Sequence, residues 1–251
     1  APMRAITTIM VEPPTEHATG LEAETAYKLL AWFSPAMPIG AYTYSHGLEY
    51  AVEAGLVTNP ESLRGYVETA LRYGTGQLDA ALLCAAYRCG RDGTCEGRSL
   101  AEVAVLAAAL RGTSELALES AAQGRALLTL LRQAWPAPAL DGLAELCRAH
   151  EIEPAHSVVV GVACAAHRLP PETSVVAFLH GFAANLISAG VRLIPLGQTD
   201  GQRLTAALEA TIRVVAADAL SASLDDLGTA SPMIDLCAIA HETQYTRLFR
   251  S

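Results

Sequence analysis

Histidine and cysteine carry the most evident chemistry in this chain, and two pairs of them share one spacing: Cys147 with His150, and Cys164 with His167. Residues three apart share a face of a helix, so each pair could offer a thiolate and an imidazole to one metal ion. Zinc sites more often gather cysteines as C-x-x-C on a turn, and both pairs here lie in apolar helical runs. They read as core cysteines with capping or surface histidines. A serine hydrolase is the next candidate, because Ser45 precedes His46 and Ser157 follows His156. Adjacent residues do not face one another on a helix, and there is no G-x-S-x-G elbow. Lysine chemistry is confined to Lys28, the one lysine among 17 basic residues. No glycine stands directly before it or six residues before it, so the chain has no G-x-x-x-x-G-K-[ST] phosphate loop. Its amphipathic surroundings offer no pocket for a Schiff base. The sequence assigns no catalytic residue and no metal ligand.

Charged residues in apolar company are more informative. Arg192 follows the uncharged stretch from Val175 to Val191 and precedes a break at Pro195. An arginine leaving an apolar environment commonly finds a carboxylate, and Glu49 is the expected partner. Arg111, Glu115, Glu119 and Gln123 recur every four residues and form one polar row on a helix. The last segment, HETQYTRLFRS from His241, holds Tyr245, Arg247 and Arg250, residue types that anchor interfaces. It is expected to order on a partner.

A helical body must hold these groups. Asn59-Pro60 supplies a cap and a proline at the first helical position, ahead of a stripe at Leu63, Val67, Ala70 and Leu71. Leu143, Leu146 and Cys147 predict a helix capped by Asp141. Leu204, Leu208, Thr211, Ile212, Val215 and Ala219 predict one long helix capped by Thr199. The run VVVGVA at 158–163 has a strand's composition, but its flanks extend a helical pattern. No hairpin signal stands out. The stretch from Val175 to Val191 is shorter than the roughly 20 residues a spanning helix needs and contains His180, Asn185 and Ser188. It reads as a buried central helix, with no membrane partner. The fold class is all-α: a single helical-bundle-like domain of about ten helices over residues 21–240, between a flexible extension at 1–20 and the segment 241–251. A formal charge of −9 without a basic cluster excludes non-specific nucleic-acid binding, which needs positive charge to displace counterions. Six cysteines without C-x-x-C, and no signal-peptide pattern, read as reduced thiols in a cytoplasmic protein.

One connection does not fit a plain bundle. Ser34 to Glu49, SPAMPIGAYTYSHGLE, packs prolines, glycines and tyrosines into a single irregular loop. Together with EYAVEAGLV it resembles the N-terminal signature of the UreF-type urease accessory proteins. NLISAGVRLIPLGQTDGQ, at Asn185 to Gln202, is similar to that family's C-terminal signature. The resemblance runs from about Leu29 to the end and is anchored at Pro38, Gly40, Ser45, Gly47, Leu48 and Glu49. The second set of anchors is Arg192, Pro195, Leu196, Gly197, Gln198 and Gln202. The chain departs from the family at Tyr42-Thr43 and His46, where Phe-Ser and Gln are common. It also departs in TSELALESAAQG, which lacks the family's arginines and methionine but keeps Glu115, Glu119, Gln123 and Gly124.

The resemblance implies an all-helical, homodimeric cytoplasmic protein without catalytic activity. Such proteins bridge a UreD-type partner and a UreG-type GTPase in a complex that matures apo-urease. GTP hydrolysis by the GTPase is coupled there to nickel delivery. Nickel and GTP are handled by the complex, and this chain binds no cofactor of its own. Candidate residues for partner binding or a nickel route are Tyr44, Ser45, His46 and Glu49 in the first signature. Glu115, Glu119 and Gln123 follow from the polar row, and Arg192, Gln198, Thr199 and Gln202 from the second signature. Tyr245, Arg247 and Arg250 complete the set. A Glu49–Arg192 pair is expected to line or gate the nickel route.

Overall fold

The computed structural model describes residues 22–251; the extension expected at 1–20 lies outside the described residues. Among the described residues twelve α-helices make up the body, so it is all-α with two more helices than the sequence count. In order they are α1 (Ala23–Trp32), α2 (Leu48–Glu53), α3 (Pro60–Tyr73), α4 (Thr75–Asp92), α5 (Leu100–Ala109) and α6 (Ser114–Ala134). Then follow α7 (Pro138–Ala149), α8 (His156–Ala166), α9 (Pro171–Leu193), α10 (Gln198–Ala207), α11 (Glu209–Ser221) and α12 (Pro232–His241). Short 3-10 turns lie at Ala41–Thr43 and Leu224–Asp226.

The centre is α4 packed on α8. Both helices are built from small residues, which lets their backbones approach closely. Ala80, Ala85 and Ala86 on α4 and Val158, Val159 and Ala163 on α8 are fully or almost fully buried. Gly161 faces the Leu83 carbonyl, where any Cβ would collide. This accounts for a large core with few aromatic rings: van der Waals contact grows as helices draw together. Helix α9 packs across α2, α3, α4, α10 and α11. It is long and apolar enough to cross a membrane, yet half of its most apolar window is buried inside the fold.

Several local expectations are corrected. The long helix predicted from 204 to 219 is two helices that part at Leu208. The first is capped at Gly197, whose N–H donates to Asp200, so Thr199 is not a cap. Helix α7 starts at Pro138 after Ala137, which leaves Asp141 in the first turn instead of at the cap. Asn59 does cap α3, in a reciprocal box with Ser62. Among the described residues there is one hairpin: β1 (Thr94–Cys95) pairs antiparallel with β2 (Arg98–Ser99). Glu96 and Gly97 between them both take positive φ, 53° and 74°, the geometry of a tight two-residue turn. Strands of two residues are too short to leave an alternating pattern.

Candidate functional site

The loop of Ser34 to Glu49 turns back on itself through two left-handed points. Gly40 (φ 77°) opens the first 3-10 turn, and His46 (φ 52°) with Gly47 (φ 74°) leads into α2. Glycine at 47 is required twice over. Besides the positive φ, a Cβ there would lie 2.6 Å from the Ala238 nitrogen of α12. Left-handed backbone is costly for histidine, and His46 is held in it from several sides. Its carbonyl accepts from Tyr66 Oη (2.7 Å), Nε2 meets Glu119 Oε1 (3.0 Å), and Nδ1 meets Thr75 Oγ1 (3.4 Å). The ring stands edge-on to Phe182.

Behind the loop lies a knot of carboxylates and histidine. Glu49 is buried; Oε1 accepts the Leu248 N–H (2.7 Å), and Oε2 accepts the Phe249 N–H (2.9 Å). Oε2 is also 3.1 Å from Nε2 of His241, which is fully buried and places Nδ1 2.7 Å from Glu115 Oε2. His241 thus lies between the two carboxylates, one at each ring nitrogen. Arg247 closes the chain of charges on Glu115 Oε1 at 2.6 Å. Glu119 accepts from Gln123 Nε2 (2.8 Å) and Ser251 Oγ (3.1 Å). Ser45 donates its backbone N–H (2.7 Å) and its hydroxyl to the Ser251 carbonyl.

Three separated stretches therefore meet: the first signature, the polar row on α6, and the last eleven residues. The segment 241–251, expected to order on a partner, is docked on its own chain, with Phe249 and Ser251 buried. Its composition pointed to a segment that orders on a partner; the sequence did not show that Glu49 of the same chain offers acceptors to two of its amides.

The expected Arg192–Glu49 ion pair does not form. Arg192 donates to the Ser188 carbonyl (3.2 Å) and the Tyr42 carbonyl (2.8 Å), and its guanidinium lies 4.4 Å from the Phe249 ring centroid. Phe249 stands between the two residues, receiving Arg192 on its ring and giving its N–H to Glu49. Tyr44 is buried and its carbonyl accepts from Asn185 (3.1 Å), which joins the two signatures directly. Gln198, Thr199 and Gln202 are exposed on α10 and make none of these contacts. Arg111 is not on the α6 row, because α6 begins at Ser114. It makes a buried bidentate pair with Asp79 (2.8 and 3.0 Å), a residue sequence reading passed over for want of any local signal.

Beside the knot is a cavity of about 240 Å³, walled by Met37, Tyr42 and His46 of the loop, Asp79, Arg111 and Glu119, His156, and Phe178 and Phe182 of α9. Charges there are strongly tuned. Burial pushes the His46 imidazole down, but the Glu119 carboxylate outweighs it and the net shift is upward. Burial dominates at His156, whose pKa falls to about 4. Burial raises Asp79, but Arg111 and Ser157 reverse this and hold it below the ordinary carboxylate value. Ser157 donates to Asp79 (2.8 Å) and Ser45 to Ser251, so neither serine bonds to the histidine beside it. The arrangement can fix a loop, a tail and an aromatic cavity in one geometry; it does not set a nucleophile against a base.

These features describe an all-helical protein organised around a loop, a polar helix face and a tail that lock together. The family model of UreF matches residues 57–209. A urease accessory protein UreF of Granulibacter bethesdensis is 49% identical over 225 residues, covering 90% of this chain and 93% of that protein. Those of Bradyrhizobium diazoefficiens and Rhodopseudomonas palustris are 47% and 48% identical, covering 92% and 95% of this chain and 93% and 100% of the relatives. The chain belongs to the UreF family of urease accessory proteins.

Proposed function

We propose that this chain is a non-catalytic cytoplasmic adaptor in urease maturation. It joins a UreD-type protein and a UreG-type GTPase, acts as a homodimer, and allows partner GTP hydrolysis to drive nickel, the cargo, into apo-urease. The observation that carries the adaptor reading is the knot itself. Its buried residues hold in place a surface that is unusually apolar: Met233, Leu236 and Ile239 on the outer face of α12, and Tyr245 and Leu248 in the segment beyond, are all at least half exposed. Exposed apolar rows of this kind suit protein partners, and aromatic residues with arginine suit the centre of an interface. The lack of a phosphate loop supports the division of labour, since GTP chemistry then falls to another chain.

Urease activation tests the reading. Cells expressing apo-urease and the remaining accessory proteins are grown with nickel, with and without this chain. Loss of bound nickel and of urease activity in its absence is expected; full maturation without it refutes the proposal. Charge placed on the apolar face, as in Leu236→Glu, is expected to abolish co-purification with the UreD-type partner while helical content is kept.

A further inference from the structure

We propose that Cys95 and Cys89 form a peroxide-sensitive dithiol, with Cys95 oxidised first and Cys89 resolving it to a disulfide. The two residues are brought together by the hairpin that follows α4. Cys95 pairs with Arg98 across that hairpin, and Cys89 Sγ lies 3.7 Å from the Arg98 carbonyl, to which it donates. Cys89 Sγ thus lies against the residue that pairs with Cys95, although the two cysteines are on different elements.

The two thiols have different surroundings. Arg88 places Nε 3.1 Å from Cys95 Sγ, a cation on the sulfur that must carry negative charge to act as nucleophile. Cys89 is pushed up to about 11 by burial, so it is held as the protonated thiol. Cys95 itself is buried, at 2% exposure, but both its neighbours, Thr94 and Glu96, are exposed, so a water-sized oxidant has only the two-residue hairpin to part before it meets the sulfur.

The chemistry balances with a peroxide as the oxidant. Cys95 thiolate attacks one oxygen of hydrogen peroxide, the O–O bond breaks, hydroxide leaves, and sulfenic acid remains. Cys89 sulfur then attacks the Cys95 sulfur; the S–O bond breaks, and the Cys89 proton leaves with the hydroxyl as water. A thiol reductant reverses the disulfide. Such transient bridges are the form disulfides take in reducing compartments. The hairpin is also a clip. Glu96 accepts from Ser223 Oγ (3.0 Å) and the Leu224 N–H (3.1 Å), Arg98 pairs with Asp225, and Arg88 donates to the Leu220 carbonyl (3.1 Å). The bridge would act where α4 holds the connection from α11 to α12.

The full chain is treated with hydrogen peroxide, alkylated, and digested with trypsin without reduction. Cleavage after Arg88, Arg91 and Arg98 puts Cys89 in residues 89–91 and Cys95 in residues 92–98. The expected product is these two peptides joined, two hydrogens lighter than their sum, and separated by reductant. Cys89→Ser should leave a Cys95 sulfenic acid that dimedone traps, and Arg88→Gln should slow cross-linking several-fold with unchanged circular dichroism. The proposal is overturned if the joined peptides do not appear, or if peroxide marks Cys84, Cys147, Cys164 or Cys237 first. The joined-peptide measurement needs only the unaltered chain, so a variant that fails to fold leaves the test intact.

Discussion

Glutamine at position 49 keeps the outline of the glutamate and removes its charge and one acceptor oxygen. In the parent chain, Glu49 Oε1 takes the Leu248 N–H at 2.7 Å and Oε2 takes the Phe249 N–H at 2.9 Å. An amide has a single acceptor oxygen, so its NH₂ must confront one of those N–H groups, donor against donor. Losing a charge-assisted bond costs about 1.5–3 kcal/mol, and leaving a buried donor unpaired costs about 1–3 kcal/mol. The two overlap, since they describe one defect, and together amount to about 3 kcal/mol of docking free energy. Phe249 keeps its buried ring under Arg192, so the segment still docks, but it opens more often. At about 1.4 kcal/mol per tenfold, the opening equilibrium rises roughly 100-fold. Hydrogen exchange resolved at the Leu248 and Phe249 amides reads this directly, with α4 and α8 as internal controls that should not change. Unaltered protection at both amides, in a Glu49→Gln chain of native helicity, would show that the carboxylate does not hold the segment. The docking argument would then fail.

Other perturbations probe separate parts of the site. His156 has its pKa lowered from 6.5 to about 4 in the folded chain, so the unfolded state binds the proton first. Its contribution is intact above pH 6.5 and is lost as pH falls toward 4, by up to about 3 kcal/mol; a His156→Phe chain should show a shallower acid limb in denaturant titrations. His46 has the opposite sign: its raised pKa gives stability that is full below 6.5 and fades as pH rises through the folded value, a trend that His46→Gln should remove. Gly47→Ala adds a methyl 2.6 Å from the Ala238 nitrogen at a positive φ, and thermal unfolding should show a loss of about 3 kcal/mol or more. Arg111→Met leaves the Asp79 carboxylate buried without its cation and should cost about 3–5 kcal/mol, part of which Asp79→Asn in the same chain restores; chemical denaturation of the single and double variants measures both.

How far the sequence reveals this depends on the range of each interaction. Helices follow from spacing within a few residues, so α3 with its Asn59 cap and α8 over the VVVGVA run are visible in advance. The division at Leu208 is not, because its apolar stripe continues through both α10 and α11 and only the packing distinguishes them. That the first signature is an irregular connection is legible from its prolines and glycines. Its partners are not: Glu49 is 192 residues from His241, and nothing local to either residue records the other. Arg192 shows the limit most clearly. Reasoning that a cation leaving an apolar helix seeks compensation was sound, but an aromatic face and two carbonyls provide it in place of a carboxylate. Glu119 and Gln123 were recognisable as a polar row, while their burial depends on a tail that the row does not foretell.

The contact between Gly47 and α12 has a mechanical consequence. Most elements in a protein meet through side chains, which can change rotamer and absorb a small displacement. Here backbone meets backbone, with no methyl group between them to yield. A push on the outer face of α12 is therefore passed undamped to Gly47 and, one residue earlier, to His46, whose ring forms part of the cavity wall. The helix works as a lever with a short, stiff fulcrum: what leans on it outside is felt as a change of shape inside.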